Sequence, residues 1–247
     1  MLLKTKAVVI RMVRYSDARA VVDLFTAAAG RLSYAVTLRG KGVSAMGKHL
    51  FQPMTLLDVE CDLRPSAKIH KLRSVRVYYP FASIPYDPVK ISLIFFISEA
   101  TGYILRGEEA AYELFDYIEG SLQWLDLAEN DEAHATAIAN FHLVFLMRLT
   151  RFLGFFPNLE GYEPGSYFDL RAAVYCRHHP QHHDILQPMD AQRLTRIVRM
   201  DYPTMHLFRM KREERNALTE MIIRYYRIHV PSFPEMKTLD ILRELFV

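Results

Sequence analysis

The chain is poor in the residues that cross-link a fold, carry it through a membrane or cut a substrate. Its 247 residues hold two cysteines, Cys61 and Cys176, too few for a disulfide framework. Only 10 glycines and 12 prolines accompany 51% hydrophobic and 24% charged residues, which excludes collagen-like and disordered chains and leaves a packed globular protein. The opening MLLKTKAVVIRMVRYSD has an apolar run too short and too interrupted by charge for a signal peptide, so a cytoplasmic protein is expected. The longest apolar stretch, residues 91–104, falls short of the roughly 20 residues that span a bilayer and reads as a buried helix. Conventional catalytic signatures are missing too. There is no glycine-rich phosphate loop opening a helix, no HExxH and no nucleophile elbow, and no enzyme is expected.

What the chain does have is a segregation of charge. Net charge is only +3, but residues 1–80 hold 14 Lys and Arg against 5 Asp and Glu, while residues 81–137 hold 2 against 11. From residue 138 onward the count is 15 against 12. The sign that meets phosphate is gathered at one end.

That end also alternates as a half-buried sheet does. Leu32, Tyr34, Val36 and Leu38 fall on one face, with Arg31, Ser33, Thr37 and Arg39 on the other. Strands are expected at 5–14, 20–26, 31–39, 51–62 and 69–78, with turns at Gly30, 40–47 and 64–66. Five strands in eighty residues fit a small Greek-key barrel of the OB type. The prolines Pro80, Pro85 and Pro88 end that pattern, and Asp87-Pro88 starts a helix. The expected fold is α+β, with an OB-fold nucleic-acid-binding domain over 1–80 and a helical domain over 81–247 that carries a loop-rich insert at 155–188. Helices are expected at 89–106, 108–127, 132–153, 190–200, 213–229 and 238–246, with Gly154 stopping the third.

The candidate DNA-contacting cations are Arg11, Arg14, Arg31, Arg39, Lys41, Lys48, Lys71 and Arg73, with Lys68 and Arg76 nearby. The loop Arg39-Gly40-Lys41-Gly42 pairs cations with permissive backbone suited to a phosphate chain. Tyr15 and Tyr34 are candidates to stack bases. For any one of these cations a solvated basic face is the competing account. The segment Cys176-Arg-His178-His179-Pro-Gln-His182-His183-Asp184 is rich in metal-ligand types but lacks a second pair nearby, and a solvated polar loop explains it as well. A metal-dependent nuclease or hydrolase built on it, or a helical adaptor without a nucleic-acid role, are the alternative functions. Glu108-Glu109 and Glu213-Glu214 fall near helix starts, where the dipole favours carboxylates.

Several separated pieces resemble the RecO family of bacterial recombination mediators. They are Lys6-Ala7-Val8-Val9-Ile10-Arg11 with Tyr15-Ser16-Asp17, Leu24-Phe25-Thr26, Gly30 and the strand to Arg39-Gly40, Gln52-Pro53, Leu153-Gly154-Phe155-Phe156-Pro157, and Lys237-Thr238-Leu239-Asp240. They occur in the family's order across nearly the whole chain. The resemblance implies an N-terminal OB-fold, a helical body and a non-enzymatic role. It also implies binding of single- and double-stranded DNA, annealing of complementary strands, and work with RecR and single-stranded DNA-binding protein to load RecA. By the same resemblance the acidic tail of single-stranded DNA-binding protein docks on the helical body. The available cations there are Arg193, Arg196, Arg199, Arg209, Lys211, Arg212 and Arg215. Many members carry zinc on two cysteine pairs; here the second pair falls on Cys176 and His179 and the first near Tyr162 and Gly165, which cannot serve. No cofactor is therefore expected, and packing of Tyr162, Tyr167 and Phe168 is expected to shape the loop, with zinc at Cys176 and His179 as the alternative.

Overall fold

The structure is a computed structural model that describes residues 2–38, 47–64, 67–129 and 131–245. The chain divides into two compact units, Met1–Leu127 and Ala128–Val247. In the first, strands β1 (Leu2–Arg14), β2 (Arg19–Thr26), β3 (Gly30–Thr37), β4 (Leu56–Asp62) and β5 (Ile69–Tyr79) close a barrel in the order β1-β2-β3-β5-β4. All neighbours are antiparallel except β3 and β5, which pair in parallel through Ser33–Ile69, Tyr34–His70 and Ala35–Lys71. This is the OB-type barrel that the strand count predicts.

Alternation sorts the side chains. Ala7, Val9, Ala20, Val22, Leu24, Tyr34, Val36, Leu57, Val59, Cys61 and Leu72 turn inward and form the barrel core. Each large aliphatic among them contributes about 1.5–3 kcal/mol by leaving water. Two expectations change here. Residues 51–55 are not strand: Lys48–Phe51 form a 3-10 turn, Met54 takes φ 62° with a fully buried side chain, and β4 starts only at Leu56. Tyr34 cannot stack bases, because it is fully buried with its hydroxyl 3.7 Å from Cys61 Sγ.

Part of the barrel's outer surface is also covered. Val8, Phe25 and Leu56 form one outward row, since Val8 pairs with both Phe25 and Leu56, yet all three are fully buried. The cover comes from helices α1 (Pro88–Ile104) and α2 (Tyr112–Leu127). The Phe25 ring stacks on Phe115 of α2 at 6.3 Å. On β1 the register shifts between Val9 and Arg11, and Ser98 of α1 donates to the Ile10 carbonyl at that irregularity. Asp87 caps α1 by accepting from the Val89 and Lys90 amides. At the other end Asp126 accepts from the Ala82, Ser83 and Ile84 amides, tying the segment that leaves the barrel to the last turn of α2. Gly30 is required by its place: it has φ +65° and lies against the Glu108 carbonyl, so a Cβ would collide with backbone. Glu108-Glu109 thus precede α2 rather than start it; the first-turn acid of α2 is Glu113, and the Glu108 carbonyl accepts from the Arg31 amide.

The second unit is built on α3 (Glu132–Phe152), capped by Asp131 and followed by Gly154 at φ +82°. Against α3 pack α4 (Pro188–Arg199) and α5 (Arg212–His229), and α6 (Leu239–Leu245) follows. Glu213 and Glu214 occupy the first turn of α5, where the dipole favours them. The 155–188 segment is more ordered than its loop-rich composition suggests. It carries strands β6 (Tyr167–Asp169), β7 (Val174–Cys176) and β8 (Ile185–Leu186) in a sheet of order β7-β6-β8. Phe168 packs edge-on against Tyr175 at 4.9 Å and Tyr225 of α5 at 6.3 Å, while Tyr162 meets Tyr175 at 5.0 Å. Among the described residues no helix is long and apolar enough to cross a membrane.

Candidate nucleic-acid interface

Strand register lays out the barrel face left open by the helices. One row runs Arg11, Asp23, Ser33, Ile69 across β1, β2, β3 and β5, and the next runs Val13, Val21, Ala35, Lys71. Arg19 pairs with Thr37 at the edge of the same face. Paired residues share a side of a sheet, so these side chains form one surface. It is cationic at the edges and small or apolar in the middle.

Ion pairing divides the cations. All five carboxylates of residues 1–80 are engaged: Asp17 with Arg14, Asp23 with Arg11 and Arg31, Asp58 with Arg76, Glu60 with Lys4, and Asp62 with Arg73. Lys6 pairs with Glu119 of α2 at 3.0 Å. Among the described residues, Arg19, Lys48, Arg64, Lys68 and Lys71 of the barrel have no carboxylate within ion-pair range. Four of these, Arg19, Arg64, Lys68 and Lys71, lie at one mouth of the barrel, on the edge of β2 and around the start of β5. Among the described residues, the cations without a close carboxylate are therefore concentrated there.

The mouth holds a cavity of about 390 Å³, lined by Tyr15, Arg19, Ala35, Arg64, His70 and Lys71 among others. Hydrogen bonds fix described residues on both sides of it. The Arg19 carbonyl accepts from the Tyr15 and Ser16 amides, Ser16 Oγ accepts from the Arg19 amide at 3.1 Å, and the Ala18 carbonyl accepts from Leu38 at 2.8 Å. On the other side His70 Nδ1 accepts from the Arg64 amide at 3.4 Å, which leaves Nε2 as the protonated nitrogen of the neutral ring.

The eight DNA-contacting candidates separate on this map. Lys71 stands in the mouth, across the ladder from an Asp62 held by Arg73, and Lys48 is exposed on the 3-10 turn; neither has a carboxylate in ion-pair range among the described residues. Arg11, Arg14 and Arg73 are exposed but already paired with carboxylates. Arg31 presents no free guanidinium. Its side chain is 9% exposed, bonded to Asp23 Oδ2 at 3.0 Å and to the Gly102 carbonyl at 2.5 Å. Arg39 and Lys41 lie outside the described residues. Sequence reasoning did not single out Arg19, Arg64, Ile69 or His70; the tally of carboxylates against cations, placed in register, is the signal that finds them.

In the second unit Arg199, Arg209, Lys211 and Arg212 are exposed, Arg193 pairs with Asp190 at 3.0 Å, and Arg196 pairs with Glu214 at 2.9 Å. Arg215 is buried, donating to Asn140 Oδ1 and the Met210 carbonyl. Arg193 and Arg196 border an apolar dimple lined by Ile197, Met200, Phe208 and Leu218.

The histidine-rich segment does not converge. Cys176 Sγ lies 3.9 Å from the Tyr167 carbonyl, and His179 Nδ1 contacts the Pro180 carbonyl while its ring meets Tyr167. His182 Nε2 sits 3.1 Å from Asp169 Oδ2, and Asp184 pairs with Arg171 and Arg224. Hydrogen bonding outweighs burial and holds the Asp169 carboxyl below its usual range; the bonds come from the Ala172 and Arg171 amides and from His182. These ligand types are thus spent on the insert's own fold. Among the described residues no group of three or more His, Cys, Asp or Glu side chains could hold a metal ion. The donor set does not fit the zinc that the family resemblance implies, and it offers no centre for a metal-dependent nuclease.

Residues 1–81 match the family model described as Recombination protein O N terminal, and residues 85–238 match Recombination protein O C terminal. Among curated relatives, the DNA repair protein RecO of Bacteroides fragilis is 41% identical over 247 residues, covering all of both chains. The RecO of Phocaeicola vulgatus is 41% identical over 246 residues, and that of Azobacteroides pseudotrichonymphae 31% over 246, each again at full coverage. A basic OB-type barrel, a helical body and matches that run the length of the chain agree with one another: the chain belongs to the RecO family of recombination proteins.

Proposed function

We propose that this protein is a DNA-repair recombination mediator of the cytoplasm and nucleoid that holds DNA at the barrel mouth, anneals complementary strands and catalyses no bond chemistry of its own. The observation that carries the reading is the set of uncompensated cations, Arg19, Arg64, Lys68 and Lys71, gathered at one barrel mouth in a RecO-family chain. Contact through lysine and arginine to phosphate is blind to base identity, which suits a protein that pairs strands of any sequence, and it weakens with salt. The paired arginines Arg11 and Arg14, on the strand that leads to Tyr15, extend the track by exchanging a carboxylate for a phosphate, and Lys48, Arg39 and Lys41 remain candidates.

RecR and single-stranded DNA-binding protein are the proposed protein partners, with loading of RecA as the outcome. For the acidic tail of single-stranded DNA-binding protein, the support is the group of exposed cations Arg199, Arg209, Lys211 and Arg212, with Arg196 beside them. Such a surface suits an acidic peptide. The deciding experiment is a strand-annealing assay at two salt concentrations, with and without single-stranded DNA-binding protein. A mediator anneals without nucleotide or metal, more slowly at high salt, and still acts on coated strands. No annealing at low salt removes the reading, and strand cleavage replaces it with an enzyme.

A further inference from the structure

We infer that the cavity at the barrel mouth receives one unpaired nucleotide of single-stranded DNA, and that this gives the barrel a preference for single strands over duplex. The inference rests on the DNA-binding reading above. It goes further by assigning the cavity an occupant and the protein a strand preference.

One small residue lines the cavity on its β3 side. Ala35 is exposed on β3 and sits between Val21 of β2 and Lys71 of β5 on the outer face, at the only parallel junction of the barrel. A larger side chain at this position would fill the space that its methyl group leaves. At about 390 Å³ the opening lies at the small end of the roughly 300–1,000 Å³ typical of ligand sites, a size for a single nucleotide rather than a helix.

Its lining has the two chemistries that a nucleotide presents. Tyr15 of the β1–β2 loop and Ile69 at the start of β5 are 60% and 50% exposed, offering an aromatic face and an aliphatic edge to a base. Arg19, Arg64 and Lys71 line the same cavity with no carboxylate in ion-pair range among the described residues; Asp62, opposite Lys71 in the ladder, is held by Arg73, so phosphate neutralises these cations without breaking a close pair. The groove across β1, β4 and β5 provides the contrast. It is of similar size, about 510 Å³, but its Lys4 and Arg76 are already matched by Glu60 and Asp58.

A base in a duplex has its faces stacked and its edge paired, and it enters such a cavity only by leaving the helix. An unpaired base enters without that cost. Duplex DNA is thus limited to the rim cations, whereas a single strand gains the cavity as well. The Leu38–Ala18 and Arg64–His70 hydrogen bonds fix described residues on both sides of the opening before DNA arrives, which limits the ordering cost of binding.

The test uses the full chain with a labelled oligothymidine strand of about 16 nucleotides and a duplex of equal length, both at low salt. Ala35→Phe fills the cavity without changing charge. Tyr15→Ala removes the exposed ring and leaves the β3–β5 junction untouched, so it stands even where Ala35→Phe disturbs folding. The expected result for each variant is an affinity for the single strand lowered about tenfold, with duplex affinity unchanged. Wild-type protein that binds both probes while Tyr15→Ala matches it on both overturns the cavity assignment alone. A loss shared equally by strand and duplex overturns it too, since the face then acts as a general phosphate track. Wild-type protein that binds neither probe overturns the DNA-binding reading itself.

Discussion

Asp23 holds Arg11 and Arg31 with one carboxylate oxygen: Oδ2 lies 2.7 Å from Arg11 Nε and 3.0 Å from Arg31 Nη2, while Ser33 Oγ donates to Oδ1 at 2.5 Å. Burial would raise the Asp23 carboxyl, but the hydrogen bonds from Ser33, Arg11 and Arg31 outweigh it and hold the group below its ordinary value. The same arrangement explains why two arginines of the basic barrel are not equivalent. Arg31 is enclosed with Asp23 at 9% and 6% side-chain exposure, whereas Arg11 stays 55% exposed and screened by water.

The first prediction follows from that enclosure. Asp23→Asn leaves the Arg31 guanidinium buried without its counter-charge and costs about 3 kcal/mol of unfolding free energy. Because the folded carboxyl is lowered relative to 3.8, its stabilisation is complete above that pH and is lost as pH falls through the lowered folded value. Urea unfolding of wild type and variant at neutral pH and in acid checks both parts; equal stability at neutral pH contradicts the account.

A second prediction concerns pH and the helical unit. His142 is fully buried, and its Nε2 contacts Thr219 Oγ1 at 2.9 Å. Thr219 gives its own hydroxyl proton to the Arg215 carbonyl, so His142 Nε2–H is the donor. Burial first, and the Arg215 charge second, push this imidazole from 6.5 down to about 3. Between those values the unfolded chain binds a proton that the folded chain refuses, so stability falls as pH drops below 6.5. At pH 5 the loss is about 2 kcal/mol. His142→Gln removes one proton from the pH slope of unfolding over this range; an unchanged slope contradicts the burial argument.

Metal content gives a third. The insert is shaped by its short sheet, by Phe168, Tyr162 and Tyr175, and by the Asp169–His182 pair. Protein purified without a histidine tag is expected to carry no stoichiometric zinc, and chelator is expected to leave its melting temperature unchanged. Zinc at one equivalent that disappears in Cys176→Ala would overturn the metal-free insert.

Much of the barrel was legible because alternation is a local property. The strand through Leu32, Tyr34 and Val36, the turn at Gly30 and the helix start at Asp87-Pro88 all declare themselves within a few residues. The start of β4 did not, because the apolar residues Phe51 and Met54 extend its pattern while the backbone at Met54 turns to positive φ. The site was less legible for the same reason that made it findable in space. Whether a cation is available depends on which carboxylate sits across the ladder, and the Arg73–Asp62 and Arg76–Asp58 partners are 11 and 18 residues apart. Tyr34 shows the limit of composition most clearly: an aromatic on a basic strand reads as a stacking platform, but strand parity places it in the core.

The most direct test of the central claim is the salt dependence of binding to a single-stranded oligonucleotide by wild type, by Arg19→Gln/Lys71→Gln, and by Arg73→Gln/Arg76→Gln. Each phosphate contact removed from a single strand lowers the slope of log affinity against log salt by about 0.7. The mouth variant is expected to bind more weakly and to lose about 1.4 from that slope. The second variant removes as much charge from side chains already paired with Asp62 and Asp58, and is expected to keep nearly the wild-type slope. Equal slopes for the two variants, or a larger loss in the second, would contradict a DNA site at the barrel mouth.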